Sequence, residues 1–266
     1  MTSPATIGGT VPTDRMAGHW LLARMGKRIL RPGGRELTGR LLGALEIGPG
    51  DDVIEIAPGL GSTTAAVLAA NPATYVGIDR DPAAADRTSA LLDGPHRTIV
   101  EASAASTGLA DASADVVFGE AYLTMQPDTQ KRRIVEQLAR LVRPGGRVGL
   151  HEVAFTEDAT DTVRAQVIDE LTGSIRVNVT PLPASGWEQL LTDAGLTVRW
   201  RAGSPLHLLE PRRLVADEGL VGAARFAGNV ARDRDARRRV RAMRSAMRGA
   251  SAHLRAYALV AERTTG

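Results

Sequence analysis

One short segment constrains this chain more than any other, because an apolar run ends in an acidic residue and passes directly into a glycine turn. The segment is Val53-Ile54-Glu55-Ile56-Ala57-Pro58-Gly59-Leu60-Gly61, and a helical pattern begins at Ser62. Glycines allow the backbone to approach a ligand closely, and the N–H groups that open a helix favour an anionic group. The sequence therefore predicts a buried strand, a ligand-binding turn and a helix, in that order.

Apolar runs and helical repeats continue to alternate along the chain. Strands are predicted at residues 53–57, 75–78, 98–102, 115–119, 147–151, 197–201 and 257–261, and the stretch 175–179 is also β-rich. Helices are predicted at residues 62–70, 82–92, 128–141, 156–172, 187–194 and 232–248, and at 14–45 with Asp14 as its cap and a break at Arg31-Pro32-Gly33-Gly34. This alternation is typical of an α/β fold in which helices connect parallel strands.

The composition excludes several kinds of chemistry. The chain has no cysteine, which removes disulfides, thiolate zinc sites and every mechanism with a cysteine nucleophile. The five histidines show no HExxH-like pairing, so we predict no metal site. No apolar run approaches the roughly 20 residues that cross a bilayer, and the N-terminus does not resemble a signal peptide. We therefore expect a cytoplasmic protein that does not bind membranes.

Charge is distributed unevenly along the chain. Residues 212–255 contain twelve arginines and four acids, a net charge of +8, whereas the rest of the chain carries −5. Eight of these arginines fall between Arg232 and Arg248. A basic segment of this kind either contacts nucleic acid or forms a solvated helix surface. We favour the solvated surface and do not predict a nucleic-acid partner.

The glycine turn does not fit the dinucleotide-binding pattern G-x-G-x-x-G/A. The third glycine position falls on Thr64 or on Ser62, depending on where the count starts, although that pattern requires a small residue for close helix packing. Asp79 ends the second predicted strand, 20 residues after Gly59, where an acid can accept both hydroxyls of a ribose. Its alternative role is to cap the helix that starts at Pro82.

Three segments resemble the motifs of class I S-adenosylmethionine (SAM)-dependent methyltransferases. Residues 53–61 resemble V-L-E-I-G-x-G-x-G, residues 108–117 (GLADASADVV) resemble L-P-F-x-D-x-S-F-D-V-V, and residues 138–148 (LARLVRPGGRV) resemble R-x-L-K-P-G-G-R-L. The wording is most similar to the ubiquinone and menaquinone (type 11) group, over about residues 45–202 and 256–262. The resemblance implies a Rossmann-like sheet of seven mostly parallel strands with an antiparallel last strand.

The resemblance also implies which residues bind SAM. The glycine turn would face the methionine carboxylate and Asp79 the ribose. The pair Ser103-Ala104 stands where the family usually has Asp-Ala beside the adenine amino group. Serine can accept the same hydrogen bond, although it departs from the family's pattern. The predicted cofactor-binding residues are Glu55, Ala57, Pro58, Gly59, Gly61, Asp79, Arg80, Ser103, Ala104 and Glu120.

The reaction centre is expected at the carboxyl ends of the fourth and fifth strands. Methyl transfer mainly requires alignment of the acceptor, and a base is needed only for a hydroxyl, thiol or protonated amine. His151 is the first candidate base because histidine titrates near neutral pH. Glu120 is the second candidate, or it binds the cofactor's ammonium or sulfonium. Strand alternation points Glu152 away from His151. The predicted substrate pocket contains Trp20, Tyr122, Met125 and Gln126, and plain packing is the alternative for each of these side chains and for His151.

Three functions stay open at this point. The first is a methyltransferase that acts on an oxygen, nitrogen or carbon atom of a small molecule, as a monomer or a homodimer. The second is an RNA-modifying methyltransferase, although the Asn/Asp-Pro-Pro-aromatic motif of base amino methylation is absent at residues 119–122. The third is a biosynthetic cyclase that binds SAM without methylating. The predicted domains are an N-terminal helical lid (1–45), the SAM-binding core (46–202), a helical cap insertion (203–255) and the last core strand with its tail (256–266).

Overall fold

The structure, a computed structural model, describes residues 11–265, and a mixed sheet lies at its centre. The first ten residues, which include most of the segment tested for a signal peptide and the start of the predicted lid, lie outside the described residues, as does Gly266. The strands are β1 (Asp52–Ile56), β2 (Thr74–Asp79), β3 (Arg97–Glu101), β4 (Ala114–Glu120), β5 (Val142–Phe155), β6 (Leu182–Pro183), β7 (Leu196–Pro205) and β8 (Leu254–Arg263).

The strand order confirms the predicted Rossmann-like topology. The order is β3-β2-β1-β4-β5-β8-β7, with β1 to β5 parallel and β8 antiparallel to both of its neighbours. The described sheet has eight strands rather than seven, because the two-residue β6 pairs with the end of β5. The predicted β-rich stretch at 175–179 was wrong: a helix runs to Ile175, and the strand begins only at Leu182.

Helices cover both faces of the sheet. They are α1 (Gly18–Arg24), α2 (Gly34–Leu45), α3 (Ser62–Ala69), α4 (Pro82–Ser89), α5 (Asp128–Leu141), α6 (Asp161–Ile175), α7 (Ala184–Asp193), α8 (Pro211–Arg232) and α9 (Arg234–Gly249). One face of β1 packs through Ile54 and Ile56 into a core shared with α5 and α7. The other face packs through Val53 into a core shared with α2 and α3. This alternation follows from the two-residue period of a strand.

The N-terminal helix and the late insertion form one layer rather than two separate additions. We call residues 206–253, between β7 and β8, the cap. Met16, Leu21 and Leu22 pack with Phe226 and Met243 of the cap in a single apolar cluster. The predicted cap boundary at residue 203 was early, because β7 continues to Pro205. Asp14 does not cap the first helix, which begins at Gly18 after Ala17.

The chain's two lysines are both buried, in contrast to its many arginines. Lys131 on α5 donates from Nζ to the Asp128 carboxylate at 2.7 Å and to the Thr180 hydroxyl at 2.9 Å. These bonds hold the segment after α6 against the first turns of α5. Lys27 lies at the junction of the N-terminal segment and the cap.

Candidate active site

A cavity of about 470 Å³ opens at the carboxyl ends of β1 to β4 and extends beneath α1. Parallel α/β sheets bind ligands at this edge, and the volume falls within the range of small-molecule sites. We call its two sides the core wall and the lid wall. The core wall includes residues 56–60, 78–81, 102–104 and 120–122, and the lid wall includes Ala17, His19, Trp20, Arg28, Leu30 and Arg31.

The glycine turn has an unusual backbone on three alternate residues. Ala57, Gly59 and Gly61 have φ values of 54°, 61° and 70°, in the left-handed region that glycine adopts readily and alanine does not. A Cβ built on Gly59 would meet no atom closer than the Ala57 carbonyl oxygen at 3.8 Å. The space over Gly59 is therefore open. Ala57, Pro58 and Gly59 line the cavity as predicted, whereas Gly61 shapes the turn without lining it.

Asp79 holds the glycine turn from the neighbouring strand. Its carboxylate accepts hydrogen bonds from the Gly59 N–H at 3.1 Å and the Asp81 N–H at 3.0 Å. Asp81, not Asp79, caps α4 by accepting from the first N–H groups of that helix. Asp79 is thus free of the alternative capping role. It lies on the cavity wall beside Arg80, whose backbone also hydrogen-bonds to it.

The pair Ser103-Ala104 lies on the core wall directly after β3. The Ser103 hydroxyl accepts from the Ala105 N–H at 3.3 Å. The Ser103 backbone also bridges to Ser106. This small turn therefore has a defined shape, and it places the predicted adenine-side residues next to Asp79 across the parallel pair β2–β3.

Glu55 does not line the cavity, so its predicted contact with the cofactor is not supported by the geometry. Its carboxylate accepts from the Thr64 hydroxyl at 2.8 Å and the Tyr75 hydroxyl at 2.7 Å. Glu55 lies two residues after Val53, so both side chains point to the same face of the sheet, toward α3. Burial raises the pKa of Glu55 to about 7, although both hydroxyls act in the opposite direction.

Glu120 at the end of β4 is the most densely partnered side chain of the cavity. It forms an ion pair with Arg31 at 2.7 Å and is bonded to His151 Nδ1 at 2.7 Å. The hydroxyls of Thr38 and Thr63 also donate to it. Burial alone would raise the pKa of Glu120, but Arg31 and His151 outweigh this effect and bring the pKa to about 2. Arg31 and His151 therefore favour the ionised form of Glu120 on the cavity wall.

His151 lies behind Glu120 and does not line the cavity. It pairs with Glu120 in the parallel register of β4 and β5, and its side chain is fully buried. Its Nε2 is buried without a partner. The geometry does not favour the predicted direct contact of His151 with an acceptor. A role through the Glu120 carboxylate fits the hydrogen bond better.

Glu152 confirms the predicted alternation and explains how the next wall segment is held. Its carboxylate accepts from the backbone N–H groups of Tyr122, Leu123 and Thr124, and from the Thr124 hydroxyl at 2.6 Å. These bonds fix the short 3₁₀ helix Leu123–Met125. The predicted pocket residues Tyr122, Met125 and Gln126 all line the cavity as a result. The Tyr122 hydroxyl is buried and has no hydrogen-bond partner.

The lid wall brings two aromatic rings and two arginines to the cavity. The predicted Trp20 lies there beside His19, with ring centroids 4.9 Å apart. The His19 Nδ1 is buried and unpartnered, and burial lowers the pKa of His19 to about 4, so the ring is neutral. Sequence reasoning missed Arg28 and Arg31. The only local signal for them was the Pro-Gly-Gly break that follows Arg31.

Two searches of the described residues concern other kinds of site. Between residues 11 and 265, no helix is long and apolar enough to cross a membrane. Over the same range, no three or more histidine, aspartate or glutamate side chains gather in a way that could hold a metal ion.

Comparison with known proteins agrees with this geometry. Residues 53–146 match the model of the methyltransferase domain family. An uncharacterized protein of Haemophilus influenzae is 30% identical over 217 residues, which are 80% of this chain and 84% of that protein. The 27-O-demethylrifamycin SV methyltransferase of Amycolatopsis mediterranei is 33% identical over 118 residues, 43% of each chain.

A solved structure with the same fold is a putative sarcosine dimethylglycine methyltransferase from Galdieria sulphuraria. It superposes with a TM-score of 0.66 at 14% identity and covers 86% of this chain and 84% of that one. The matched domain begins in β1, just before the glycine turn of the cavity, and ends with the Gly145-Gly146 pair of β5. The sheet order, the glycine turn and these relatives together show that the chain belongs to the class I SAM-dependent methyltransferases.

Proposed function

We propose that the protein transfers the methyl group of SAM to a small-molecule acceptor that binds between the core wall and the lid wall. One observation supports this most strongly: both walls enclose a single cavity of about 470 Å³, which suits small ligands. SAM supplies an electrophilic methyl group on a sulfonium. The protein then has to hold the acceptor in line with that methyl and to exclude water.

The core wall has groups suited to each part of the cofactor. Asp79 offers carboxylate oxygens to the ribose hydroxyls, and Ser103 lies where the adenine amino group is expected. The open face of Gly59 allows a close backbone approach. Glu120 is ionised in the cavity, and because both of its oxygens already have partners, it would attract the methionine ammonium through its charge. Arg31 beside it would offer its remaining N–H groups to the methionine carboxylate.

The side chains of the lining leave two polar atoms without a partner. These are the Tyr122 hydroxyl and the His19 Nδ1, and both are buried below the cavity surface. Burial and the nearby Glu152 raise the pKa of Tyr122 and keep its hydroxyl protonated. Either atom would bind an acceptor only after its side chain turns toward the cavity. The relative from Amycolatopsis mediterranei, named for an O-demethylated small molecule, supports an oxygen acceptor.

Several arginines of the basic segment are occupied within the protein, which argues against an RNA substrate. Arg239 donates to the backbone carbonyls of Thr13 and Met16. Arg244 and Arg248 both pair with Glu210. These arginines stabilise the cap and its contact with the N-terminal segment. A phosphate track would need them to be available.

Calorimetric titration with SAM and with its demethylated product, S-adenosylhomocysteine (SAH), tests the cofactor site. Saturable binding of both is expected, and binding of neither would contradict the proposal. Incubation with labelled SAM and a panel of small alcohols and amines then tests the acceptor class. Transfer to RNA but to no small molecule, together with RNA binding that weakens as salt increases, would favour the RNA-modifying alternative.

A further inference from the structure

We propose that Asp217 and Glu218 of the cap are positioning residues for the cavity, because they fix the linker between α1 and α2 and thereby hold Arg31 against Glu120. This inference rests on the proposed function. Neither acid lines the cavity. Both are almost completely buried, and they act on it only through the linker, residues 25–33.

Glu218 binds the first part of the linker through backbone groups. One carboxylate oxygen accepts from the Arg28 N–H at 2.9 Å and from the Ile29 N–H at 2.8 Å. The other lies 3.4 Å from the Arg28 Nε. A carboxylate that accepts two adjacent backbone N–H groups fixes the local path of the chain as well as its position. Arg31 follows only two residues after Ile29.

Asp217 binds the start of α2, directly after the linker. Its carboxylate accepts from the Arg35 N–H at 3.1 Å, and its carbonyl oxygen accepts from the Arg35 Nε at 2.6 Å. The approach at Gly34 is so close that an added Cβ would lie 2.2 Å from the Asp217 carboxylate. Two successive residues of the cap therefore clamp both ends of the stretch that carries Arg31.

Lys27 supplies the charge that allows this acidic pair to be buried. Its Nζ lies 3.7 Å from a carboxylate oxygen of Asp217 and 3.7 Å from one of Glu218, and the side chain is fully buried. A buried carboxylate without a compensating cation is strongly destabilising. The lysine belongs to the linker and the acids to the cap, so separating the two elements would leave buried charges uncompensated on both sides.

The helical backbone of α8 is interrupted immediately after Asp217 and Glu218. Gly219 has φ 72° and ψ 170°, which interrupts the helix. Such a conformation is accessible to glycine and costly for other residues. The interruption separates the clamp from the exposed Leu220 and Val221 that follow. The first half of α8 is thus a short element that ends in the clamp.

Displacement of Arg31 would change the charge state of the cavity. The charged or titratable groups that act on Glu120 are Arg31, His151 and Glu55. Arg31 is the first of the groups that lower the pKa of Glu120. If the clamp is released and Arg31 moves away, Glu120 takes up a proton at a higher pH. Cofactor affinity should then acquire a dependence on acid pH that the native protein lacks.

The test compares Glu218→Gln with Glu210→Gln in the full-length protein. Glu210 serves as the control because it pairs with two arginines of the cap and, among residues 11–265, its side chain forms ion pairs only within the cap. SAH affinity is measured by calorimetry from pH 5 to pH 8, and amide hydrogen exchange is measured for residues 25–35. We expect Glu218→Gln to weaken SAH binding about tenfold, most strongly at low pH, and to speed exchange in the linker. Glu210→Gln should change neither readout.

A double-mutant cycle separates positioning from a general loss of stability. If Glu218 acts through Arg31, the combined variant Arg31→Met with Glu218→Gln should bind SAH as weakly as Arg31→Met alone. Independent, additive losses would overturn the proposal, as would an unchanged SAH affinity and pH dependence in Glu218→Gln. Asp217→Asn, which retains the carbonyl contact to Arg35, takes its place in the same cycle if Glu218→Gln does not fold. If the native protein does not bind SAH, the proposed function fails, and linker exchange still tests the clamp.

Discussion

The core wall and the lid wall of the cavity are built by different means. On the core wall, strand ends and backbone hydrogen bonds place the functional groups, as when Asp79 accepts from the Gly59 N–H. On the lid wall, side chains of a remote cap place them, as when Glu218 binds the Arg28 N–H across 190 residues of sequence. The core wall therefore forms with the sheet, whereas the lid wall depends on tertiary contacts that can open separately.

This difference suggests a division of labour. A wall fixed by backbone geometry suits the part of the ligand that never varies, which is the cofactor. A wall fixed by side chains of the cap can change its shape without disturbing the sheet. We expect variants of the core wall to affect mainly cofactor binding. Variants of the lid wall should affect mainly the acceptor, except at Arg31 and the clamp that holds it beside Glu120.

The largest effect is expected on the core wall. Asp79→Ala removes both the support of the glycine turn and the acceptor for the ribose hydroxyls, so the SAH dissociation constant should rise about 1,000-fold, or about 4 kcal/mol. Calorimetry measures this. The exposed Asp86 of α4 provides the control, since Asp86→Ala should leave affinity unchanged. A loss smaller than tenfold for Asp79→Ala would remove this residue from the cofactor site.

The next largest effect is expected on the pH dependence of stability, through Glu55, which is buried behind the core wall. The pKa of Glu55 is raised to about 7 by burial, so the folded protein retains a proton that the unfolded chain releases above about pH 4.5. Its contribution to the free energy of unfolding is therefore complete below pH 4.5 and is lost as pH rises through 7, by about 3 kcal/mol. Glu55→Gln should flatten this part of the pH profile in denaturant unfolding.

The control for that experiment is Glu136→Gln on the exposed face of α5, which should follow the pH profile of the native protein. A Glu55→Gln profile parallel to that of the native protein would show that Glu55 titrates normally. Burial behind the core wall would then leave the protonation of Glu55 unchanged.

A smaller effect is expected on the lid wall. Trp20→Ala should lower kcat/KM for the acceptor about tenfold while changing the SAH dissociation constant less than about threefold. Trp200 on β7 is the matched control, because it packs against the cluster on the α2 face, away from the cavity. If Trp20→Ala weakens SAH binding as much as it lowers acceptor turnover, the two walls do not divide the ligands between them.

The smallest effect is expected at Ala57, where the core wall itself departs from ideal geometry. The residue has φ 54°, a conformation that costs an alanine about 1–2 kcal/mol and glycine much less. Glycine in turn loses about 0.5–1 kcal/mol through chain entropy. Ala57→Gly should therefore raise the free energy of unfolding by up to about 1 kcal/mol, seen as a slightly higher urea midpoint, whereas Ala83→Gly within α4 should lower it. A destabilised Ala57→Gly would contradict strain at this position.

The same contrast explains what could be predicted from sequence. Strand ends and turns are local, so the apolar runs and the glycine segment were sufficient to place Asp79, Ser103 and Glu120 at one edge of the sheet. The alternation of side chains along a strand correctly predicted that His151 and Glu152 point to opposite faces of the sheet. It could not show that β5 extends past His151, because Glu152 and Val153 read equally well as loop or strand.

Contacts that cross the whole chain left little local signal. Arg31 of the linker and Thr38 of α2 both contact Glu120, which lies more than 80 residues further along the chain. The two-residue period of a strand places Glu55 on the same face as Val53, toward α3. The family motif indicated a cofactor contact instead. The arginines of α9 looked like a single basic surface, although their partners at Glu210 and the Met16 carbonyl became visible only with the packed cap.

The burial of both lysines has a practical consequence for covalent chemistry. Reagents that acylate amines need an accessible, unprotonated Nζ, and in the folded protein both side-chain amines are shielded. Lys27 becomes reactive only when the linker leaves the cap, and Lys131 only when residue 180 leaves α5. Mass-spectrometric labelling therefore reads two distinct opening events at two single sites, with no engineered probe and no background from surface lysines.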